Sequence, residues 1–457
     1  MSHKQSILHI TPHLGGGVGY IILKWIKKEN TCHLHTVVSL DKNNNKDWIE
    51  VDNQCEYATI HDDCFAREDF KNFLDANIKQ ADIVLVHWWN HPLLYDVLMN
   101  FQWPPCRLLL WSHVNSLFPP YTIPERLFDF VDRFVFTSPV SYECKEVKNL
   151  SDENKEKLDV IWSAVEDEDF NNLERIPHTG FNVGYTGTVD FGKLNQNFIK
   201  LCSQVNIPDV RFVVTSGDSQ QHLINEAIDA GIWEKFAFLG RVPSVARVLS
   251  KIDVYGYPLQ SQNFSTCELA LGEAMIAGCV PVVLANPTEK RIVKHMETGI
   301  IANTLEEYPR AIEYLYKNPD ILVRISENAK IFAKSQYDIN KTISSWNKTF
   351  EKAMELEKRE HTWDKIKSGN YFPFELYIES LGGKEGYACP FFDYLKASGT
   401  ASKKSAVSEI QKLFRSNPMF FSKSKGSVMQ YLQFFPDDNI LNEWKELLNI
   451  IIEERKK

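Results

Sequence analysis

The sequence predicts an α/β protein: two successive doubly wound domains built on parallel sheets, then a helical tail. Three observations carry this. Short, nearly continuous apolar runs alternate with amphipathic stretches, as strands buried on both faces do when helices cross between them. A polar interval at residues 171–179 interrupts the alternation, which then restarts. From residue 319 onward only helical spacing remains. At 457 residues, 44% hydrophobic and 24% charged, the chain is long enough for two or three cores of ordinary composition.

Taken in order, residues 7–10, 35–39, 83–86, 108–111 and 134–136 read as buried strands of the first domain. Amphipathic stretches at 66–79 and 92–101 supply helices between them. The second domain repeats the scheme, with strands at 183–187, 212–215, 236–239, 252–255 and 280–283. A helix is expected over 343–358, where Ile343, Trp346, Phe350 and Met354 share a face. The boundaries expected are 1–175, 176–336, a crossover helix at 337–360 and a helical appendage at 361–457.

The most informative stretch is 265–283. Ser265 followed by Glu268 has the spacing of a capping box. Leu269, Leu271, Ala274, Met275 and Ala277 then form an apolar helical face, Gly278 stops the helix, and a β-branched run follows. A helix opening after a loop presents bare N–H groups, which suits an anion such as a diphosphate. A glycine turn, His13 to Gly19, likewise follows the first strand and precedes a helix, and Gly16, Gly17 and Gly19 would let a ligand approach the backbone. A nicotinamide site is the competing reading there, with Asp41 after the second strand, but Gly15 and Gly17 would require glycine where Tyr20 stands.

Glu273 with Ala274, Met275, Gly278, Pro281, Val282 and Val283 resembles the signature of the retaining family-4 glycosyltransferases of the GT-B fold, two Rossmann-like domains facing a cleft. The resemblance covers about the first 355 residues. It implies transfer of a hexosyl unit from a nucleotide diphosphate-sugar to an acceptor hydroxyl with retention, in bacterial surface polysaccharide or glycoconjugate assembly. It implies a glycan or lipid-linked acceptor and no cofactor beyond the donor; no Asp-x-Asp pair stands at a strand end, so no metal is expected. Glu273 would hold the nucleotide ribose, His113 the donor sugar, and Lys193 the diphosphate. The sequence departs from the pattern twice: Ser265 stands where the first glutamate falls, and Thr188 where an arginine usually precedes the lysine. Thr266, Cys267 and Glu268 would complete the helix entry, Glu268 mainly as a cap, and Arg241 would flank the nucleotide. His87, Trp88 and Asn90, at the end of the third apolar strand, are candidate acceptor contacts. A sugar-nucleotide 2-epimerase and a non-catalytic GT-B binding protein remain as alternatives.

Composition excludes other classes. A formal charge of −9 disfavours nucleic acid as a partner. Nine cysteines include no C-x-x-C pair, which fits a reducing cytoplasm better than a zinc ribbon or disulfide framework. Asp62 and Asp63 read as a solvated pair in a loop rather than a metal-binding motif. The start of the sequence lacks a signal-peptide core, and no apolar run approaches the ~20 residues of a membrane span. One segment reverses the acidic balance. Between 401 and 426, Lys403, Lys404, Lys412, Arg415, Lys423 and Lys425 are interleaved with Leu413, Phe414, Met419, Phe420 and Phe421, against the single acid Glu409. Such a segment could lie on an anionic membrane surface or pack its apolar side on the protein.

Overall fold

Continuous apolar strands require cover on both faces, and the chain supplies it with helices between successive strands. The computed structural model describes residues 4–29, 33–42, 58–165, 170, 173–217, 219–364 and 369–455. It divides into two compact units, Met1–Ile161 with Thr342–Lys457, and Trp162–Lys341.

The first unit holds a seven-stranded, wholly parallel sheet in the order β3-β2-β1-β4-β5-β6-β7. Its strands are β1 Gln5–Thr11, β2 His33–Ser39, β3 Ala58–His61, β4 Ile83–Trp88, β5 Leu108–Ser112, β6 Arg133–Phe136 and β7 Leu158–Val160. Every residue of β4 and β5 is buried, as a central strand covered on both sides must be. Helix α1, Gly16–Glu29, connects β1 to β2; α2, Phe70–Gln80, and α3, Pro92–Asn100, flank β4 in the chain.

The second unit repeats the plan with six parallel strands, β10-β9-β8-β11-β12-β13. They are β8 Phe181–Thr186, β9 Val210–Thr215, β10 Phe236–Gly240, β11 Val254–Tyr257, β12 Val280–Leu284 and β13 Ile300–Ala302. Helix α4, Gln221–Asp229, follows β9, and α5, Leu269–Ile276, precedes β12. Gly278 stops α5 with φ +81°, its N–H donating to Met275 while Cys279 donates to Ala274. Helices α6, Glu307–Lys317, and α7, Pro319–Gln336, close the unit.

The chain then returns through α8, Ile339–Met354. Its Trp346 and Phe350 stack on Trp25 of α1 at 5.3 and 5.9 Å. The boundary lies at 161/162, earlier than the 175/176 read from the polar interval, because Val165 already donates to Tyr337 and packs in the second unit's core.

Residues beyond 360 form α9 Pro373–Ser380, α10 Cys389–Lys396, α11 Thr400–Ser416, α12 Val428–Phe434 and α13 Asn439–Arg455. They belong to the first unit. Trp444 packs on Phe391 at 4.5 Å, and Phe414 on Phe391 and Phe420 at 5.8 and 5.4 Å. Of the two readings of 401–426, the apolar side packs on the protein: Phe414, Met419 and Phe420 are core residues of the tail, and its exposed part is basic, with Lys403, Lys404, Lys412 and Lys423. Among the described residues no helix is long and apolar enough to cross a membrane.

Candidate active site

In each sheet the strand order reverses beside the first strand of the unit, at β1/β4 and at β8/β11. Ligands of open α/β sheets bind outside the carboxyl ends of the strands at such points. The motifs read from the sequence fall there: 13–19 and 89–91 after β1 and β4, 187–193 and 258–268 after β8 and β11.

At the first switch point Gly16 has φ +63°, and a Cβ on Gly19 would lie 2.0 Å from the Leu14 carbonyl oxygen, so neither position accepts a side chain without strain. Gly16 and Gly17 are exposed, whereas Gly19 is buried. His13 accepts the Gly15 N–H through Nδ1 at 3.1 Å and lies 5.1 Å from the Trp89 ring. The tail contributes Lys425, whose Nζ sits 5.2 Å above the centre of that ring. Burial, then the Lys425 charge, push His13 down to about 4 and His113 to about 3.

His113 lies just past β5, its Nε2 3.2 Å from Nδ1 of His87. The acceptor contacts expected of His87, Trp88 and Asn90 are corrected by burial, since none of the three is accessible. His87 continues inward to His9, Trp88 packs near Phe134, and Asn90 donates to the carbonyls of Thr122 and Ser380. Asn90 thus ties the tail to the first sheet.

Behind His113 lies a cluster the sequence reading did not see. His9 Nδ1 is 3.0 Å from His87 Nε2, and His9 Nε2 is 2.9 Å from His35 Nδ1. His35 Nε2 lies 3.0 Å from Glu29 Oε2 in a poorly aligned contact, and His33 Nδ1 lies 2.6 Å from Glu29 Oε1. Trp25 Nε1 also donates to Glu29, at 2.8 Å. Burial alone would raise the Glu29 carboxyl; the hydrogen bond from His33 and the close approach of His35 outweigh it and hold it at about 2. Ligand atoms of Glu29, His33 and His35 come within 4.8 Å of one another, the one such grouping among the described residues.

At the second switch point the capping-box reading is overturned. Helix α5 begins at Leu269, and Glu268 occupies its cap position in the left-handed region at φ +40°, with no side-chain capping bond. The Glu268 carboxylate instead pairs with Lys193 at 3.0 Å and accepts the Tyr257 hydroxyl. Burial would raise this carboxyl, but the Lys193 charge, with hydrogen bonds from Ser265 and Tyr257, brings it below the ordinary range. A left-handed non-glycine residue is costly and is kept where its surroundings hold it; here the ion pair does so. Lys193 also lies 5.7 Å from the Tyr257 ring and 5.8 Å from Phe264.

Glu289, just past β12, is a second buried carboxyl that sequence reasoning missed. Burial, then repulsion from Glu268, raise it to about 8, and its Oε2 has no hydrogen-bond partner among the described residues. Ser265, Thr266 and Cys267 are buried: the Ser265 carbonyl accepts from Thr288 at 2.6 Å and that of Cys267 from Tyr337 at 2.7 Å. Thr188 offers its carbonyl to Tyr185. Glu273 is partly exposed on α5, and Arg241 is exposed past β10, its guanidinium beside Gly217 at the end of β9.

Residues 167–332 match the model of the family "Glycosyl transferases group 1". No curated protein matches the sequence. Solved structures do match in fold. HepE of Anabaena in complex with UDP-glucose has a TM-score of 0.61 at 14% identity, over 76% of this chain and 99% of that one. A glycosyltransferase from Rickettsia africae gives 0.62 at 14%, over 77% and 99%. Sucrose-phosphate synthase from Thermosynechococcus elongatus gives 0.56 at 14%, over 77% and 100%. Through its second unit the chain resembles the glycosyl transferases group 1, and its fold is that of the GT-B glycosyltransferases.

Proposed function

We propose that the protein is a retaining glycosyltransferase that moves a hexosyl unit from a nucleotide diphosphate-sugar to an acceptor hydroxyl, in assembly of a bacterial surface polysaccharide or glycoconjugate. The observation that carries this reading is Lys193, a largely buried ammonium at the β8/β11 switch point within the segment matching the family. A departing diphosphate needs a fixed cation and oriented donors, which act strongly in a dry site. Lys193 supplies the charge, Glu273 acceptor oxygens for a ribose, and Arg241 an exposed guanidinium beside the nucleotide. The roles of His113 toward the sugar and of the Gly16–Gly17 turn toward the ligand follow from the family resemblance. Retention and hexosyl transfer follow from the family resemblance alone; independence of a metal follows from Lys193 and backbone donors meeting the diphosphate charge.

The Lys193–Glu268 pair also favours a second reading. With Thr188 in place of an arginine and Glu268 matching the Lys193 charge, the pocket offers a diphosphate little net positive charge. A non-catalytic GT-B protein would tolerate that. Calorimetry with UDP, GDP and ADP, followed by transfer and hydrolysis assays with the corresponding sugars in excess chelator, separates the readings. Binding with turnover supports the enzyme, and binding without turnover of any donor supports the second reading. Undiminished nucleoside-diphosphate affinity in both Lys193→Ala and Glu273→Ala would sink the site.

A further inference from the structure

The register of the first sheet aligns four histidines on one diagonal. His35 of β2 pairs with Ile7 of β1, and His9 lies two residues further along β1. His9 pairs with Leu85 of β4, and His87 lies two residues further. His87 pairs with Trp111 of β5, and His113 lies two residues beyond that. A two-residue step keeps every side chain on the same face. The row therefore climbs from the buried end of β2 to the carboxyl edge at His113. Ring centres along it are 5.2, 5.3 and 5.4 Å apart. Trp25 packs on His9 and His35, and Trp111 on His87 and His113. Burial holds His9, His87 and His113 uncharged at neutral pH, so each of these rings has one N–H and one lone pair.

We propose that the Glu29 carboxylate sets the tautomer of His113 through His35, His9 and His87, so that His113 meets its ligand with Nδ1 as an obligate hydrogen-bond acceptor. A carboxylate oxygen 3.0 Å from His35 Nε2 is attracted by an N–H there and repelled by a lone pair. With the proton on Nε2, His35 Nδ1 is an acceptor, and the nitrogen facing it is Nε2 of His9. His9 Nδ1 then accepts from Nε2 of His87, and His87 Nδ1 from Nε2 of His113. Every contact joins an Nε2 to an Nδ1, so one choice at Glu29 determines all four rings. With His35 uncharged, the opposite orientation places a lone pair against the carboxylate; a doubly protonated His35 would instead donate to His9, reverse the row and leave His113 with a pyrrole-like Nδ1. Among the described residues, nothing hydrogen-bonds to the remaining Nδ1 of His113. That the ligand there is a sugar hydroxyl rests on the function proposed above; the tautomer does not.

The test uses the ligand-free full chain labelled with 15N-histidine, at neutral pH, with two-bond proton–nitrogen correlation spectra. His113 is assigned by its loss in His113→Asn. A pyridine-like Nδ1 and pyrrole-like Nε2 are expected, in a preference of about tenfold or more. The preference should collapse in Glu29→Gln, whose amide accepts or donates equally well. It should collapse also in His9→Asn, which keeps Glu29 but cuts the row. A pyrrole-like Nδ1 in the wild type overturns the proposal without any variant, as does an unchanged His113 spectrum in folded Glu29→Gln or His9→Asn. Stoichiometric metal in the purified protein, held by Glu29, His33 and His35, would also overturn it, because the metal would replace the proton at His35. Lack of transferase activity would leave these spectra unaffected and would count only against the proposed function.

Discussion

Glu289 makes the stability of the second unit depend on pH in a sense opposite to most carboxylates. Its folded value of about 8 against an ordinary 4.5 means that the native state holds a proton that the unfolded chain releases. Between these values the folded state binds more protons, so stability falls as pH rises. Each pH unit crossed between the two values costs about 1.4 kcal/mol, and the whole window roughly 5 kcal/mol before relaxation around the charge reduces it. Between about pH 5.5 and about pH 8.5 the expected loss is roughly 3 kcal/mol. Glu289→Gln retains the shape of the protonated carboxyl and cannot ionise. It should exceed the wild type by about 1.4 kcal/mol near pH 5.5 and by up to about 4.6 kcal/mol near pH 8.5, so that the gap widens by about 3 kcal/mol across the range. Urea denaturation of both proteins at each pH, with the transition of the second unit followed through Trp162 and Trp233, gives the difference directly. Other titrations cancel in that comparison. Parallel pH profiles for variant and wild type would refute the reasoning, as would a variant equally destabilised at both pH values.

Removing one partner of the buried Lys193–Glu268 pair should cost about 3–5 kcal/mol, because the other charge is stranded; Lys193→Met with Glu268→Met should recover much of it, read by the same denaturation. Acid should unfold the first unit, since His13 and His113, at about 4 and 3 when folded, take up protons below about 6.5 once unfolded. Stability there should fall by about 1.4 kcal/mol per pH unit for each, and a flat Tm between about pH 6.5 and about pH 5 would contradict the burial of these rings. Phe414→Ala should cost about 3–5 kcal/mol as a core substitution, measurable as a lowered Tm, and an unchanged Tm would mean that the tail does not pack as described. Vesicle binding by the exposed lysines of 403–423, if it occurs, should be purely electrostatic, worth about 1 kcal/mol per residue and abolished by salt; salt-resistant flotation would show apolar insertion instead.

The central strands were legible because burial on both faces leaves an unbroken apolar signature. The edge strands β3, β7 and β13 were not, being only three or four residues long and partly exposed. Strand β11 begins at Val254, two residues later than its apolar run suggests, because Ile252 and Asp253 still belong to the turn before it. The glycine turn and the lysine of the second unit were legible as motifs, and they lie at the carboxyl edges expected of them. Glu268 misled because a capping box and an ion-paired carboxylate share the same local spacing; only the approach of Lys193 and Tyr257, from elsewhere in the chain, decides between them. The histidine row had no local signal at all. His9, His35 and His87 sit in ordinary strands and His113 just past one, and the strand order alone brings residues 9, 35, 87 and 113 into line. The tail stayed ambiguous for a related reason, since an amphipathic helix reads the same whether its apolar face meets lipid or Phe391.

The second unit is one uninterrupted stretch of chain, while the first is made from both ends. A ribosome therefore finishes the second unit while the first still lacks Trp346, Phe350 and the entire tail. Until then Trp25 has no stacking partner from α8, and the side of the sheet carrying His9 and His35 stays without that cover. Domains that can fold during synthesis generally do so as units. Here the segment translated second is the first able to complete its core, and the earliest strands wait for the last residues to arrive.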